Sequence, residues 1–214
     1  MIVRTFPVGA FQENAYLLVD DTARRAVLVD PGDEGERLYR AVGGSGAELE
    51  AIWLTHAHVD HVGGIAAIKR LADVPVYLHP LERPLYDNAV QHGLLFGLRI
   101  DSPPPPERAL AEGDTLECGS LRFSVMHVPG HAPGHVIIHG HGIAFVGDCL
   151  FAGSIGRTDL PLANGPDLAR SLERICTLPD DTVVYPGHGP ATTIGEEKVS
   201  NPFLTGAARL VGLG

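Results

Sequence analysis

A chain of 214 residues, 44% of them hydrophobic, is long enough to bury one large core, and no long linker divides it, so a single domain over residues 1–214 is expected. The formal charge of −10, with Asp and Glu spread along the chain, excludes a basic track for nucleic acid. Cys118, Cys149 and Cys176 are odd in number and form no Cys-x-x-Cys pair, which excludes a disulfide framework and a zinc ribbon; with no signal-peptide pattern and no membrane-span window, a cytoplasmic protein away from membranes is expected.

In chain order, β-rich runs at 2–6, 15–19 and 26–29, separated by Gly9 and by Asp20-Asp21-Thr22, read as a meander of strands. Asp30-Pro31-Gly32 ends the third run. Residues 33–42 then have helical spacing with acidic residues in the first turn, where the helix dipole favours them. Ala51-Ile52-Trp53-Leu54 is a buried strand, 65–71 is apolar with helical period, and 74–78 is a further strand. Apolar positions over 81–98 predict one or two helices interrupted near Gly93. Pro103-Pro104-Pro105-Pro106 forms a stiff surface connector into a strand-rich second half, with strands at 115–118, 121–128, 136–139, 143–146 and 182–185 and a helix over 167–176. This pattern alone specifies mixed α and β in two β-rich halves.

The chemistry concentrates in Thr55-His56-Ala57-His58-Val59-Asp60-His61, directly after the buried strand. His56 and His58, two apart on an extended chain, project to one side and can meet on one ion. Asp60 and His61 lie where the chain turns toward Gly63-Gly64 and are aimed elsewhere, so one loop can serve two adjacent metals. Three more ligand types stand on glycine turns at strand ends: His131 in Pro129-Gly130-His131, Asp148 in Gly147-Asp148, and His188 in Pro186-Gly187-His188-Gly189.

This order of motifs resembles the metallo-β-lactamase superfamily of binuclear hydrolases, over almost the whole chain. Within it, Pro129-Gly130-His131-Ala132-Pro133-Gly134-His135, Gly147-Asp148-Cys149-Leu150-Phe151 and Gly153-Ser154-Ile155-Gly156-Arg157-Thr158-Asp159 resemble the glyoxalase II (hydroxyacylglutathione hydrolase) branch. The ending Tyr185-Pro186-Gly187-His188-Gly189-Pro190-Ala191-Thr192-Thr193 is similar to its short, single-domain bacterial members. The resemblance implies an α/β protein folded as a four-layer αβ/βα sandwich, with the ligands gathered along one edge of the paired sheets. It implies that His56, His58 and His131 bind one metal, that Asp60, His61 and His188 bind the other, and that Asp148 bridges them.

Two divalent ions, zinc first, with iron or manganese accepted by the same donors, bring the pKa of a bridging water to about 7. The hydroxide then attacks an acyl carbonyl without any Ser or Cys nucleophile. Asp60, Asp148 and the hydroxide set three negative charges against four positive ones, and the residual charge of about +1 suits a small anionic thioester, lactoylglutathione first. The chain departs from the long glyoxalase II form, whose C-terminal helical domain supplies cations for glutathione: after His188 only Lys198 and Arg209 are basic. Another thioester, a lactone or a small ester therefore stays open. Arg157 is the candidate for a substrate carboxylate, and equally a candidate to brace Asp159.

Persulfide dioxygenases of the same fold also resemble the chain, sharing a Gly-Arg-Thr-Asp segment like that at 156–159; they hold one iron, here by His56, His131 and Asp148. The late Gly-His turn favours the binuclear hydrolase. Asp30, Thr55, His127 and His135 are candidates to orient ligand rings, with His135 facing structure rather than metal. His79, His92, His139 and His141 are expected in helix- or turn-like surface positions and Cys149 in a small buried apolar role. Phe11, Leu94, Leu95, Phe96 and Ile155 are expected to wall the groove or to pack the core.

Overall fold

The computed structural model describes residues 1–208 and contains two six-stranded sheets. The first consists of β1 (Ile2–Val8), β2 (Glu13–Asp20), β3 (Arg25–Val29), β4 (Glu48–Trp53), β5 (Val76–Leu78) and β6 (Arg108–Ala109), in that spatial order. The second draws on β7 (Thr115–Cys118), β8 (Leu121–His127), β9 (Val136–Gly140), β10 (Ile143–Gly147), β13 (Val183–Pro186) and β14 (Thr192–Thr193), in the order β14-β13-β10-β9-β8-β7. β11 (Leu150–Phe151) and β12 (Ser154–Ile155) form a small separate hairpin. The helices are α1 (Gly35–Ser45), α2 (Val59–Val62), α3 (Ile65–Lys69), α4 (Arg83–Asp87), α5 (Ala89–Leu95), α6 (Gly165–Ile175) and α7 (Ile194–Ser200), with a 3-10 turn at Pro80–Glu82.

Strand parity decides the layering. A period of two sends alternate side chains of one strand to opposite faces. Leu17, Val19 and Ile52 thus join Leu38 and Val42 of α1 and Ile65 and Ile68 of α3 in one apolar cluster. Their neighbours Tyr16, Leu18, Ala51 and Trp53 meet Phe123, Val125, Ile138 and Phe145 between the sheets. On the far side, Ile137, Ala144 and Val146 pack under Leu168, Leu172 and Ile175 of α6. Helix, sheet, sheet, helix is the four-layer order expected. Among the described residues no helix is long and apolar enough to cross a membrane.

Two expectations change. The break in 81–98 falls at Asn88, not Gly93: the Asn88 side chain donates to Pro84 O and closes α4, while α5 runs on through Gly93. Bare of Cβ, Gly93 lets α5 press onto α2, since a Cβ there would lie 3.3 Å from the Val59 side chain. His139 stands in β9, as the strand predicted over 136–139 requires, and not in the helix- or turn-like position also expected of it. The two-residue strands β6, β11, β12 and β14 are too short to carry a periodic signal. Helix α7 opens on a capping box of Thr193 and Glu196, a local signal the periodic reading passed over.

The parallel pairs β3 with β4 and β10 with β13 point their carboxyl ends toward one edge. Across that edge Tyr16 Oη and Asn14 Nδ2 both donate to Pro186 O, and Val136 N donates to Thr55 O, so the halves are stitched where the motif loops emerge. Between the sheets Trp53 is 1% exposed and meets Phe123 edge to face at 5.8 Å. Trp53→Ala is expected to cost about 3–5 kcal/mol of unfolding free energy in urea, followed by circular dichroism; a loss under about 1 kcal/mol would show that this layer does not hold the sheets together.

Candidate metal centre

Every motif loop leaves the carboxyl end of a strand. Asp30 follows β3, Thr55 and His56 follow β4, Asp148 follows β10, and His188 follows β13. The loops close on one another only because glycine lines the contact: a Cβ on Gly187 would sit 2.1 Å from Asp148 Oδ1 and 2.8 Å from His61 Cε1.

Two three-donor clusters result. His56, His58 and His131 form one, and Asp60, His61 and His188 the other; within each, the ligand-type atoms lie within 4.8 Å of one another. His58 Nδ1 is 2.9 Å from His131 Nε2, and Asp60 Oδ2 is 3.2 Å from His188 Nε2. Asp148 stands between the clusters, Oδ2 being 3.5 Å from His131 Nε2 and 3.7 Å from His188 Nε2, and Oδ1 3.5 Å from His61 Nε2. All seven predicted ligand residues are therefore brought together. Asp30, His56 and His61 form a third geometric grouping that shares two of these rings.

Some donors pair within the clusters, His58 with His131 and Asp60 with His188, while others point into this space unpaired. Among the described residues His56 Nε2, His61 Nε2 and Asp148 Oδ1 are buried with no hydrogen-bond partner. Leaving such atoms unpaired is costly, about 1–3 kcal/mol each. Converging imidazole and carboxylate donors of this kind fit a divalent cation. Burial pushes the His56 imidazolium well below its ordinary value and His58 down to about 3, so both rings are neutral donors. His61 differs: burial lowers it, but Asp148, Asp30 and Glu13 outweigh that and raise it well above the ordinary value. Burial opposes ionisation of Asp60 and Asp148 as well, yet the imidazoles of His61 and His188 hold both carboxyls below the usual range.

The opposite side of each ring is braced. His61 Nδ1 donates to Asp30 Oδ2 at 3.1 Å; His56 Nδ1 donates to the Thr55 hydroxyl at 3.1 Å, which donates in turn to Asp30 Oδ2 at 2.6 Å. His131 Nδ1 donates to Arg157 O at 2.9 Å, which leaves its Nε2 lone pair facing the cluster. His135 accepts from Asp148 N at 3.1 Å and stacks on His56, so it shapes the site from behind. Cys149 is buried beside His135, as expected. His127 does not orient a ligand ring: it stacks on His79 and donates to Pro133 O. The Arg157 guanidinium clasps Asp159 at 2.7 and 2.8 Å.

Sequence reading passed over two buried acids. Glu82 is fully buried, and its two oxygens accept from Ala57 N at 2.8 Å and Gly134 N at 2.6 Å, clamping the His56–His58 loop to the His131 loop. Glu13 lies 3.6 Å from His61 with neither oxygen hydrogen-bonded, and burial pushes its carboxyl well above the usual range. Backbone amides of distant loops leave no trace in residue spacing, so Glu82 has no sequence signal. Glu13 lies two residues ahead of the run predicted as a strand at 15–19 and belongs to no motif.

The model of the Metallo-beta-lactamase superfamily matches residues 8–188. The chain belongs to that superfamily. It is 39% identical, over 95% of its length and 98% of the other chain, to a protein of Haemophilus influenzae named hydroxyacylglutathione hydrolase GloC. The crystal structure of TTHA1623 in a di-iron-bound form superposes with a TM-score of 0.87 at 47% identity, covering 94% of this chain and all of that one. ETHE1 from Myxococcus xanthus gives a TM-score of 0.81 at 29% identity, covering 96% and 85% of the two chains.

The edge of this metallo-β-lactamase sandwich opens into a groove of about 690 Å³. Its floor carries His58, Asp60, His131, Asp148 and His188; Phe11, Leu95, Phe96 and Ile155 wall it as expected, together with Phe151. Leu94 does not line it and points to solvent.

Burial pushes Glu82 up to about 7 although the Ala57 and Gly134 amides pull the other way. The folded metal-free protein thus keeps a proton that the unfolded chain releases above the ordinary 4.5, and stability falls as pH rises from about 4.5 to about 7, levelling beyond. Glu82→Gln is expected to remove a slope on the order of 3 kcal/mol across that window. Urea unfolding at pH 5, 6, 7 and 8 checks this, and parallel profiles for the two proteins would refute it.

Proposed function

We propose that the chain is a metal-dependent hydrolase of acyl thioesters. His56, His58 and His131 hold one divalent ion, Asp60, His61 and His188 the other, and Asp148 is shared; zinc is the first candidate, with iron and manganese accepted by the same donors. The observation that carries the reading is the pair of three-donor clusters with Asp148 between them. When bound, the ions supply a strong oxygen nucleophile at neutral pH and polarisation of the acyl carbonyl.

The chain's own residues do the rest. Asp30, directly and through Thr55, keeps the His61 and His56 lone pairs turned inward. The fully buried Cys149, whose thiol burial pushes well above its ordinary value, is suited to packing rather than to nucleophilic attack. A thiolate leaves without strong acid assistance, so the reaction does not require a dedicated proton donor. The GloC relative supports lactoylglutathione, a small anionic thioester, as the first substrate to test.

A persulfide dioxygenase would use His56, His131 and Asp148 alone and would leave Asp60, His61 and His188 without a task. The complete second cluster favours the hydrolase. Protein purified without added metal is expected to carry about two ions per chain and to hydrolyse lactoylglutathione, and Asp148→Ala to lose at least one ion and roughly 10³-fold in turnover. One iron per chain, with oxygen uptake on glutathione persulfide and no thioester turnover, would overturn the proposal.

A further inference from the structure

Four separate elements wall the groove, and all of them contribute apolar side chains. Phe11 comes from the β1–β2 loop, Leu95 and Phe96 from the end of α5, Phe151 from the β11–β12 hairpin, and Leu160 from the loop after Arg157. Phe11 and Phe96 meet edge to face at 6.0 Å, which joins two of these elements at the rim. Phe151 reaches inward to the His188 ring, 6.2 Å between centroids. The rim residues remain wet: Phe11 is 42% exposed, Phe96 53% and Leu95 82%. Adjacent exposed apolar side chains around a cleft mark a surface that gains by being covered.

Charge is nearly absent from the same wall. Among the described residues Arg157 is the one lining side chain with a permanent positive charge, and its guanidinium is engaged by both oxygens of Asp159. A carrier bearing two carboxylates therefore finds no free arginine or lysine among the described residues of the groove wall, on a protein whose formal charge is −10.

We propose that the groove selects thioesters by an apolar acyl group, aromatic or of medium chain length, and reads the thiol carrier only weakly. This rests on the thioesterase reading above. In the reaction a C–O bond forms from water to the acyl carbon and the C–S bond breaks; the thiolate takes up a proton from that water, giving a carboxylic acid and a free thiol. The wall acts on the acyl chain through area removed from water, which distinguishes a phenyl ring from the short hydroxylated lactoyl group.

The test is a two-by-two set of thioesters, lactoyl and phenylacetyl on glutathione and on N-acetylcysteamine, hydrolysed by metal-loaded protein. Each kcat/KM is divided by that compound's own alkaline hydrolysis rate. Phenylacetyl is expected to exceed lactoyl by about tenfold or more on both carriers, about 1.4 kcal/mol, with the carrier swap changing values by less than about threefold. Phe96→Ser, at a position that is 53% exposed, is expected to reduce the phenylacetyl-to-lactoyl ratio at least about threefold. A ratio under about fivefold, a carrier swap costing about tenfold, or a Phe96→Ser ratio equal to the parent's overturns the selectivity while leaving the thioesterase reading intact. Turnover of none of the four overturns both.

Discussion

The Asp30 carboxylate accepts from the Thr55 amide, the Thr55 hydroxyl and the His61 ring, and the geometry of the motif loop depends on those three bonds. Asp30 sits just past β3 with φ of 46°, a left-handed conformation that costs a non-glycine residue on the order of 1 kcal/mol. The hydrogen bonds offset that strain. They also orient both rings: His56 Nδ1 faces the Thr55 hydroxyl and His61 Nδ1 faces Asp30, so each Nε2 is turned toward the cluster. A backbone distortion at one strand end is thereby converted into the orientation of two rings.

Around that anchor the site is an arrangement of charges that the protein does not neutralise by itself. Asp60 and Asp148 are held ionised by imidazoles, while His56 and His58 are kept neutral by burial. Protons and divalent ions compete for the same inward-facing donors. Neither sheet alone can build this. The first contributes the His-rich loop and Asp30, the second contributes His131, Asp148 and His188, and Glu82 ties the loops by their backbones.

The residues most legible in the sequence are those whose chemistry is rare and whose spacing is constrained by the backbone. His56, His58, Asp60 and His61 declare themselves by spacing alone, and His131, Asp148 and His188 by the glycines that let their loops approach. Periodicity made the mixed α and β class legible, but the four layers followed from the family resemblance, because β4 breaks strict alternation: the register shift opposite Ala26 and Val27 puts Leu49 in the helix-facing cluster and Ala51 and Trp53 between the sheets. Glu82 was illegible for the reason that makes it effective: its partners are amides 25 and 52 residues away, and every residue but proline carries one. His127 misled because it precedes the Pro-Gly-His turn in sequence, whereas its ring stacks on His79 instead of reaching a ligand. The helix break at Asn88 escaped because a side-chain bond to Pro84, not the nearby glycine, ends α4.

The stitches from Asn14 and Tyr16 to the carbonyl of Pro186 span 172 and 170 residues. During synthesis on the ribosome the histidine-rich loop emerges early, but His131, Asp148 and His188 arrive only with the second half of the chain, and β2 must wait for β13 before its polar edge is satisfied. A nascent chain that has passed His61 but not His188 exposes half a chelating surface with no shape to discriminate among cellular cations. A complete set of inward-facing donors therefore exists only once both sheets have formed.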